Sequence, residues 1–257
     1  QPIRDTQILL AEDNPINQQV VREFLEKSGV RVNIANNGLE AVEQAGRQHY
    51  DAILMDLHMP VLDGLEATRR IRAKGHAMPI IALTAAVLEE DSKAALASGM
   101  NDHVAKPVDP EELIAALLRW IAPKRDEAPP HTVAAGKPET PSPLPDIALP
   151  GFALDELVRR LGGSTEEVPR ILSLFSGEFA DANERLDAFL ATGDYAGARA
   201  LVHNIKGSAG NVGAHVLHSA ARLLESELIK GDASSLPGFK AALSDALAQI
   251  AAQTPGL

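Results

Sequence analysis

The chain contains no cysteine in its 257 residues. That excludes disulfides, thiolate zinc sites and cysteine nucleophiles, and it fits a reducing compartment such as the cytoplasm. No apolar run approaches the roughly 20 residues of a membrane span, so no membrane contact by this segment is expected. Positive charge is in deficit: 24 Lys and Arg against 35 Asp and Glu give a formal charge of -11. Nucleic acid would have to be bound against that repulsive field. No basic stripe interleaved with aromatics is there to do so, and no nucleic-acid partner is expected. The start, Gln1-Pro2-Ile3-Arg4-Asp5, lacks the apolar core of a signal peptide. With no initiator Met, it reads as an excised piece of a longer protein. Nucleotide motifs are missing too: there is no Asp-x-Gly-x-Gly lid, no Walker Gly-Lys-Ser/Thr and no Asp-Phe-Gly. The segment is not expected to use ATP, so any kinase activity would belong to a parent protein.

What is present suits two globular domains, each long enough to bury a core, with 45% hydrophobic and 23% charged residues. In the first part, short β-branched runs at 8–11, 30–35, 52–55, 80–83 and 103–105 alternate with helical stretches at 14–28, 38–48, 64–73, 89–98 and 110–120. Five strands alternating with five helices predict a parallel sheet covered on both faces. From Pro123 to Pro150 the periodicity is lost among Pro129, Pro130, Pro138, Pro141, Pro143 and Pro145, as in a linker. A flexible stretch of about 28 residues spans roughly 30 Å root-mean-square, which would let Asp56 in the first part and His203 in the second meet at an effective concentration in the millimolar range and separate to admit other partners. Beyond it, helices are expected at 153–161, 166–191, 195–209, 214–229 and 239–251, with Pro169 tolerated in a first turn. Long helices with short turns predict an up-down bundle of four, the short first helix lying over it as a lid.

Polar residues collect where the predicted strands end. Glu12 and Asp13 follow the first strand, Asp56 the third, Thr84 the fourth and Lys106 the fifth. In doubly wound sheets that edge is where ligands bind. Three carboxylates crowded together repel unless a hard cation lies between them, and Mg²⁺ suits oxygen ligands and phosphate. The set permits in-line attack by the Asp56 carboxylate on a phosphoryl group. Lys106 would pair with an equatorial oxygen, Thr84 would donate a hydrogen bond, and the product would be an acyl phosphate. Taken singly, an Asp at a strand end is as readily a helix cap, and Lys106 a surface charge. It is the combination at four strand ends that points to chemistry.

Residues 5–121 resemble a response-regulator receiver domain, through Leu10-Ala11-Glu12-Asp13-Asn14, Met55-Asp56-Leu57-His58-Met59-Pro60, Asp63-Gly64, Leu83-Thr84-Ala85 and Lys106-Pro107. The resemblance implies a flavodoxin-like α/β fold with Asp56 as phosphoacceptor. It also implies magnesium held by Glu12, Asp13, Asp56 and the backbone carbonyl of His58. The family often places Tyr or Phe three residues before the lysine, where this chain has His103. A phosphatase nucleophile of the haloacid-dehalogenase type would need a second Asp two residues after Asp56, and His58 stands there.

A second constellation runs from His203 to Ala214. Residues three and four apart on a helix share a face, so His203 stands beside Lys206 and Gly207. A neutral imidazole carries a nucleophilic lone pair, and Lys206 offers a cation to phosphoryl oxygens. A mid-helix glycine costs about 1 kcal/mol relative to Ala, and access to His203 supplies a steric reason for Gly207. No carboxylate lies at the neighbouring positions of the same helix, and none is expected to be needed. His215 and His218, spaced three apart, read as ordinary helix residues. Residues 152–252 resemble a histidine phosphotransfer (HPt) domain, on this stretch and the helical pattern.

The order receiver, linker at 122–151, HPt resembles the C-terminal end of a hybrid sensor histidine kinase. It implies a phosphorelay: an upstream histidine kinase domain phosphorylates Asp56, Asp56 passes the group to His203, and His203 passes it to a downstream response regulator. Two alternatives remain at this point. One is a non-catalytic docking or sequestration module, the other a free-standing relay intermediate serving a separate kinase.

Overall fold

The computed structural model describes residues 3–84, 89–121 and 149–253, with the side chains of 89–91 left aside. The chain forms two compact units, each taken by itself below. Most of the Pro-rich stretch expected as a linker, residues 122–148, lies outside the described residues.

The N-terminal part of the chain, which forms the first unit apart from Asn14–Val20, follows the predicted alternation. Its elements are β1 (Gln7–Ala11), α1 (Pro15–Lys27), β2 (Arg31–Ala35), α2 (Gly38–Arg47), β3 (Ala52–Asp56), α3 (Gly64–Ala73), β4 (Ile80–Thr84), α4 (Glu89–Ser98), β5 (Asp102–Ala105) and α5 (Pro110–Ile121). All strand pairings are parallel, in the order β2-β1-β3-β4-β5. Side chains alternate across a strand, and both sheet faces are covered. Leu9, Ile53, Met55, Ile80 and Ala82 pack on one face with Ala41, Val42, Ala67, Ile71 and Ala95 of α2, α3 and α4. Ile8, Leu10, Leu54, Ile81 and Leu83 pack on the other with Val21, Leu25, Leu113 and Leu117 of α1 and α5. Burial on both faces is why these strands read as unbroken apolar runs.

Caps fix where the helices start. The Asn14 side chain accepts from the amides of Ile16 and Asn17 at 2.9 and 3.1 Å, with Pro15 at the first helical position where no amide is required. Asp63 Oδ1 accepts from Glu66 N at 2.7 Å and caps α3. Gly64 is demanded sterically: a Cβ there would stand 2.0 Å from the Asp56 carbonyl oxygen. Only glycine lets α3 begin this close to the end of β3.

The second unit is helical: α6 (Leu154–Arg160), α7 (Val168–Phe179), α8 (Ala182–Ala191), α9 (Tyr195–Asn211), α10 (His215–Leu228) and α11 (Leu236–Gln253). The single long helix expected over Glu166–Ala191 is in fact two. The chain leaves the helical region at Asp181, with φ −103 and ψ 10, and Asp is a poor interior helix residue because it competes for backbone groups. The break is hidden in the pattern because Phe175, Phe179, Ala182 and Leu186 are all buried, continuing one stripe at helical spacing across it. Counted together, α7 and α8 make one column of a four-column bundle with α9, α10 and α11, as expected. Successive columns pack side by side and α11 closes against α7. The short α6 buries Leu154, Leu157 and Val158 into the same core. At its centre, Phe175 and Phe179 meet edge to face with centroids 5.0 Å apart, a favoured aromatic geometry.

Phe175 is fully buried. Phe175→Ala is expected to cost the bundle about 3–5 kcal/mol, read as a lower midpoint of the helical unit's unfolding transition in urea.

Candidate functional site

β1 and β3 are neighbours in the sheet although not in sequence, so their C-terminal ends form the crevice at which the strand order reverses. The acidic residues converge there. Glu12, Asp13 and Asp56 each place a carboxylate oxygen within 4.8 Å of the others. Lys106, following β5, reaches in from the far side: its Nζ donates to Glu12 Oε2 at 2.5 Å and to Asp56 Oδ2 at 2.7 Å. All three of these side chains are at most 5% exposed, so water screens them little. Burial alone would lower the Lys106 pKa, but the charges of Asp56 and Glu12 outweigh it and hold the ammonium well above its usual range. The arrangement keeps Lys106 charged, and three carboxylates against one ammonium still leave two formal negative charges.

The remaining predicted residues take their places around that centre. Thr84 ends β4, one residue beyond the partner of Asp56 in the sheet register. Its hydroxyl oxygen is buried with no hydrogen-bond partner among the described residues. The His58 amide donates to Asp56 Oδ1 at 3.2 Å. His103 lies on β5 opposite Ala82 of β4, partly buried. Together, a hard all-oxygen donor set, excess negative charge and an unsatisfied hydroxyl fit a divalent cation with a phosphoryl group beside it.

In the helical unit, His203 and Lys206 lie one turn apart on α9 and turn toward α10. There they meet a residue that the sequence reading missed. Glu225 accepts from both: its Oε1 lies 2.6 Å from His203 Nδ1 and its Oε2 2.5 Å from Lys206 Nζ. Burial pulls the Glu225 pKa up, but the hydrogen bonds from His203 and Lys206 outweigh it and lower the carboxyl to about 2. As expected, no carboxylate lies beside His203 along its own helix; the one that meets it comes from the next helix. A signal was available. On α10 the buried stripe is Leu217, Ala221, Leu224 and Leu228, and Glu225 sits four residues after Ala221, on the stripe's border. A charge there calls for a partner. Which partner could not be read, because the α9–α10 register depends on the turn between them. That turn passes through Gly213, at φ +76 and with room for no Cβ, which would stand 2.6 Å from the Ala153 carbonyl oxygen. His215 Nε2 lies 3.3 Å from Glu156 Oε1 of α6. His218 is half-buried, and that burial and the nearby cations Lys206 and Arg222 push its pKa down.

Comparison with known proteins follows the same division. Residues 8–118 match the response regulator receiver domain family and residues 170–253 the Hpt domain family. The sensor histidine kinase GacS of Pseudomonas protegens is 28% identical over 257 residues, an alignment covering 97% of this chain and 27% of that protein. The signal transduction histidine-protein kinase BarA of Escherichia coli is 28% identical over 228 residues, covering 87% of this chain and 24% of its own length. The chain thus spans about a quarter of the length of these curated relatives. Among solved structures, the receiver domain of a sensor histidine kinase from Pseudomonas aeruginosa, with a magnesium ion coordinated in its active-site cleft, is 52% identical. That match covers 45% of this chain and 97% of the other, at a TM-score of 0.43. No described helix of this chain is long and apolar enough to cross a membrane. Residues 8–118 belong to the response regulator receiver family and residues 170–253 to the Hpt family, the two domain types of phosphorelay signalling.

Proposed function

We propose that the chain is the receiver and HPt portion of a hybrid sensor kinase, in which Asp56 accepts a phosphoryl group from an upstream phosphohistidine and passes it to His203. The working division is a receiver at 5–121, a linker at 122–151 and an HPt domain at 152–252, operating in the cytoplasm. The observation that carries this reading is the buried cluster in which Glu12, Asp13 and Asp56 converge with Lys106.

Glu12, Asp13 and Asp56, with the His58 carbonyl, would hold Mg²⁺, which supplies positive charge against the phosphoryl oxygens. In the first transfer, an Asp56 carboxylate oxygen attacks phosphorus in line. The donor's nitrogen–phosphorus bond breaks, and its electrons return to the donor imidazole. Lys106 exchanges its contact with Asp56 for one with a phosphoryl oxygen, and the Thr84 hydroxyl donates to another. In the second transfer the nucleophile is a ring nitrogen of His203. The phosphorus–oxygen bond to Asp56 breaks, and the carboxylate leaves with the electrons. Lys206 then offers its charge to the phosphoryl group on His203, which is handed to an aspartate of a separate response regulator. Run backward, the same steps drain phosphate from that regulator.

With a phosphorylated histidine kinase domain as donor and radiolabelled phosphate as tracer, Asp56→Asn is expected to abolish labelling of both sites, while His203→Gln leaves Asp56 labelled. Acid and base lability separates the acyl phosphate from phosphohistidine. Normal labelling of His203 in the Asp56→Asn chain would overturn the serial order. Stripping divalent cations with EDTA is expected to stop labelling of Asp56 altogether, and Mg²⁺ to restore it. Undiminished labelling in EDTA would remove the metal from the mechanism.

A further inference from the structure

We infer that the α10–α11 face of the helical unit is a docking groove for the chain's own proline-rich segment, with residues 144–148 laid along it and Leu144 and Ile147 turned inward. The inference goes beyond the relay reading and does not depend on it. Its basis is a groove of about 160 Å³ walled by Phe152, Val216, Leu217, Ala242 and Ala246. Sites for small molecules run to roughly 300–1,000 Å³, so this one has room for one or two aliphatic side chains rather than a metabolite. Val216 on its rim is 65% exposed.

A polar atom in the same groove points to the chemistry of the occupant. Gln249 lines the groove one turn beyond Asp245. Its side-chain oxygen Oε1 is buried with no hydrogen-bond partner among the described residues. A buried acceptor left unmet is costly, so the occupant that suits this groove brings an N–H as well as apolar side chains. A polyproline II chain brings both. It makes no hydrogen bonds within itself, so every non-proline amide is open to a partner, and grooves that read Pro-rich segments use this property.

The turn at the groove's edge says which chain this is. Leu149 is buried in the bundle core. Pro150 follows, Gly151 takes φ +87, and Phe152 N donates to Leu149 O at 3.1 Å, the pattern of a type II turn. Beyond it, Phe152 bridges Ala214 and Ala153 N donates to Gly213 O at 2.9 Å. A reverse turn sends the chain before Leu149 back beside the chain after it, and Phe152 is itself a wall of the groove. Residues 144–148 lie outside the described residues, but their sequence is Leu-Pro-Asp-Ile-Ala, preceded by Pro143. With three residues per turn of polyproline II, Leu144 and Ile147 share one edge and Asp146 falls on another, which keeps its carboxylate away from Asp245. At 3.1 Å per residue the segment extends about 15 Å, against about 10 Å along α11 from Ala242 to Gln249 at 1.5 Å per residue. It is long enough to cover the groove. Being joined to the groove wall through Leu149, it also competes at an effective concentration in roughly the millimolar range, above that of a free partner.

The test reads the segment directly. In the full 257-residue chain, backbone amide exchange is followed by NMR in wild type, Ile147→Asp, Val216→Asp and Gln249→Ala. Val216 and Gln249 are not part of the buried core, so the bundle is expected to stay folded. In wild type the amides of Asp146, Ile147 and Ala148 should exchange about tenfold or more slower than in an unstructured chain. Nuclear Overhauser contacts should join the Ile147 methyls to Val216 and Ala246. Ile147→Asp and Val216→Asp should each abolish the protection, and Gln249→Ala should weaken it. Exchange at the unstructured rate in wild type would overturn the proposal. So would protection that survives both Ile147→Asp and Val216→Asp, because the segment would then pack elsewhere. A second copy in the groove would give a dimer by sedimentation that Val216→Asp dissociates, with the amides of 146–148 unprotected throughout, and that result would also overturn it.

Discussion

Everything in the first unit turns on the repulsion among carboxylates gathered at the carboxyl ends of β1 and β3. Left alone, Glu12, Asp13 and Asp56 would disfavour the folded state, because like charges a few ångströms apart out of water repel strongly. Lys106 is the folded chain's own answer. It crosses from the end of β5 to contact two of the three, over sequence separations of 94 and 50 residues. It offsets the crowding without removing it. The residual negative charge fits a divalent cation, and in the proposed transfer the buried Thr84 hydroxyl would serve a phosphoryl oxygen. A site fully satisfied by its own side chains would have nothing left with which to bind.

The helical unit inverts that balance. A single carboxylate, Glu225, faces an imidazole and an ammonium. The first centre is electron-rich and waits for positive charge; the second pairs its anion internally with an ammonium and an imidazole. On the proposed relay, that asymmetry suits a group that leaves one centre for the other. Two anionic centres would repel at the moment of transfer, whereas a carboxylate cluster facing an imidazole–lysine pair does not.

How much of this could be read in advance depended on how local each signal is. The sheet was legible because strands buried on both faces leave unbroken runs such as Ile8 to Ala11 and Ile80 to Leu83, each ending in polar residues at the carboxyl edge. Asp56 and its neighbours were legible because a parallel α/β sheet sends every such strand end to the same side. His203 with Lys206 was legible because helical spacing links residues within one segment. The break at Asp181 was not, since apolar periodicity passes through it undisturbed. Nor was Glu225 as the partner of His203. Its place on the border of the α10 stripe could be seen, but the pairing is set by the register of two helices around the Gly213 turn. A periodic pattern within either helix carries no information about that register.

The same reasoning shows why both centres are tied to an intact fold. Asp56 sits on β3, but its cation comes from the end of β5. His203 sits on α9, but its acceptor comes from α10. Neither pairing exists in the local segment that carries Asp56 or His203, so neither site is assembled until its domain has closed. A chain that is partly unfolded therefore keeps the residues of both motifs and loses the geometry that makes them reactive. For a relay this is a safeguard. Aspartyl phosphate is a high-energy acyl compound, and on the proposed relay, building its acceptor from distant elements would confine phosphorylation to molecules folded well enough to pass the group on.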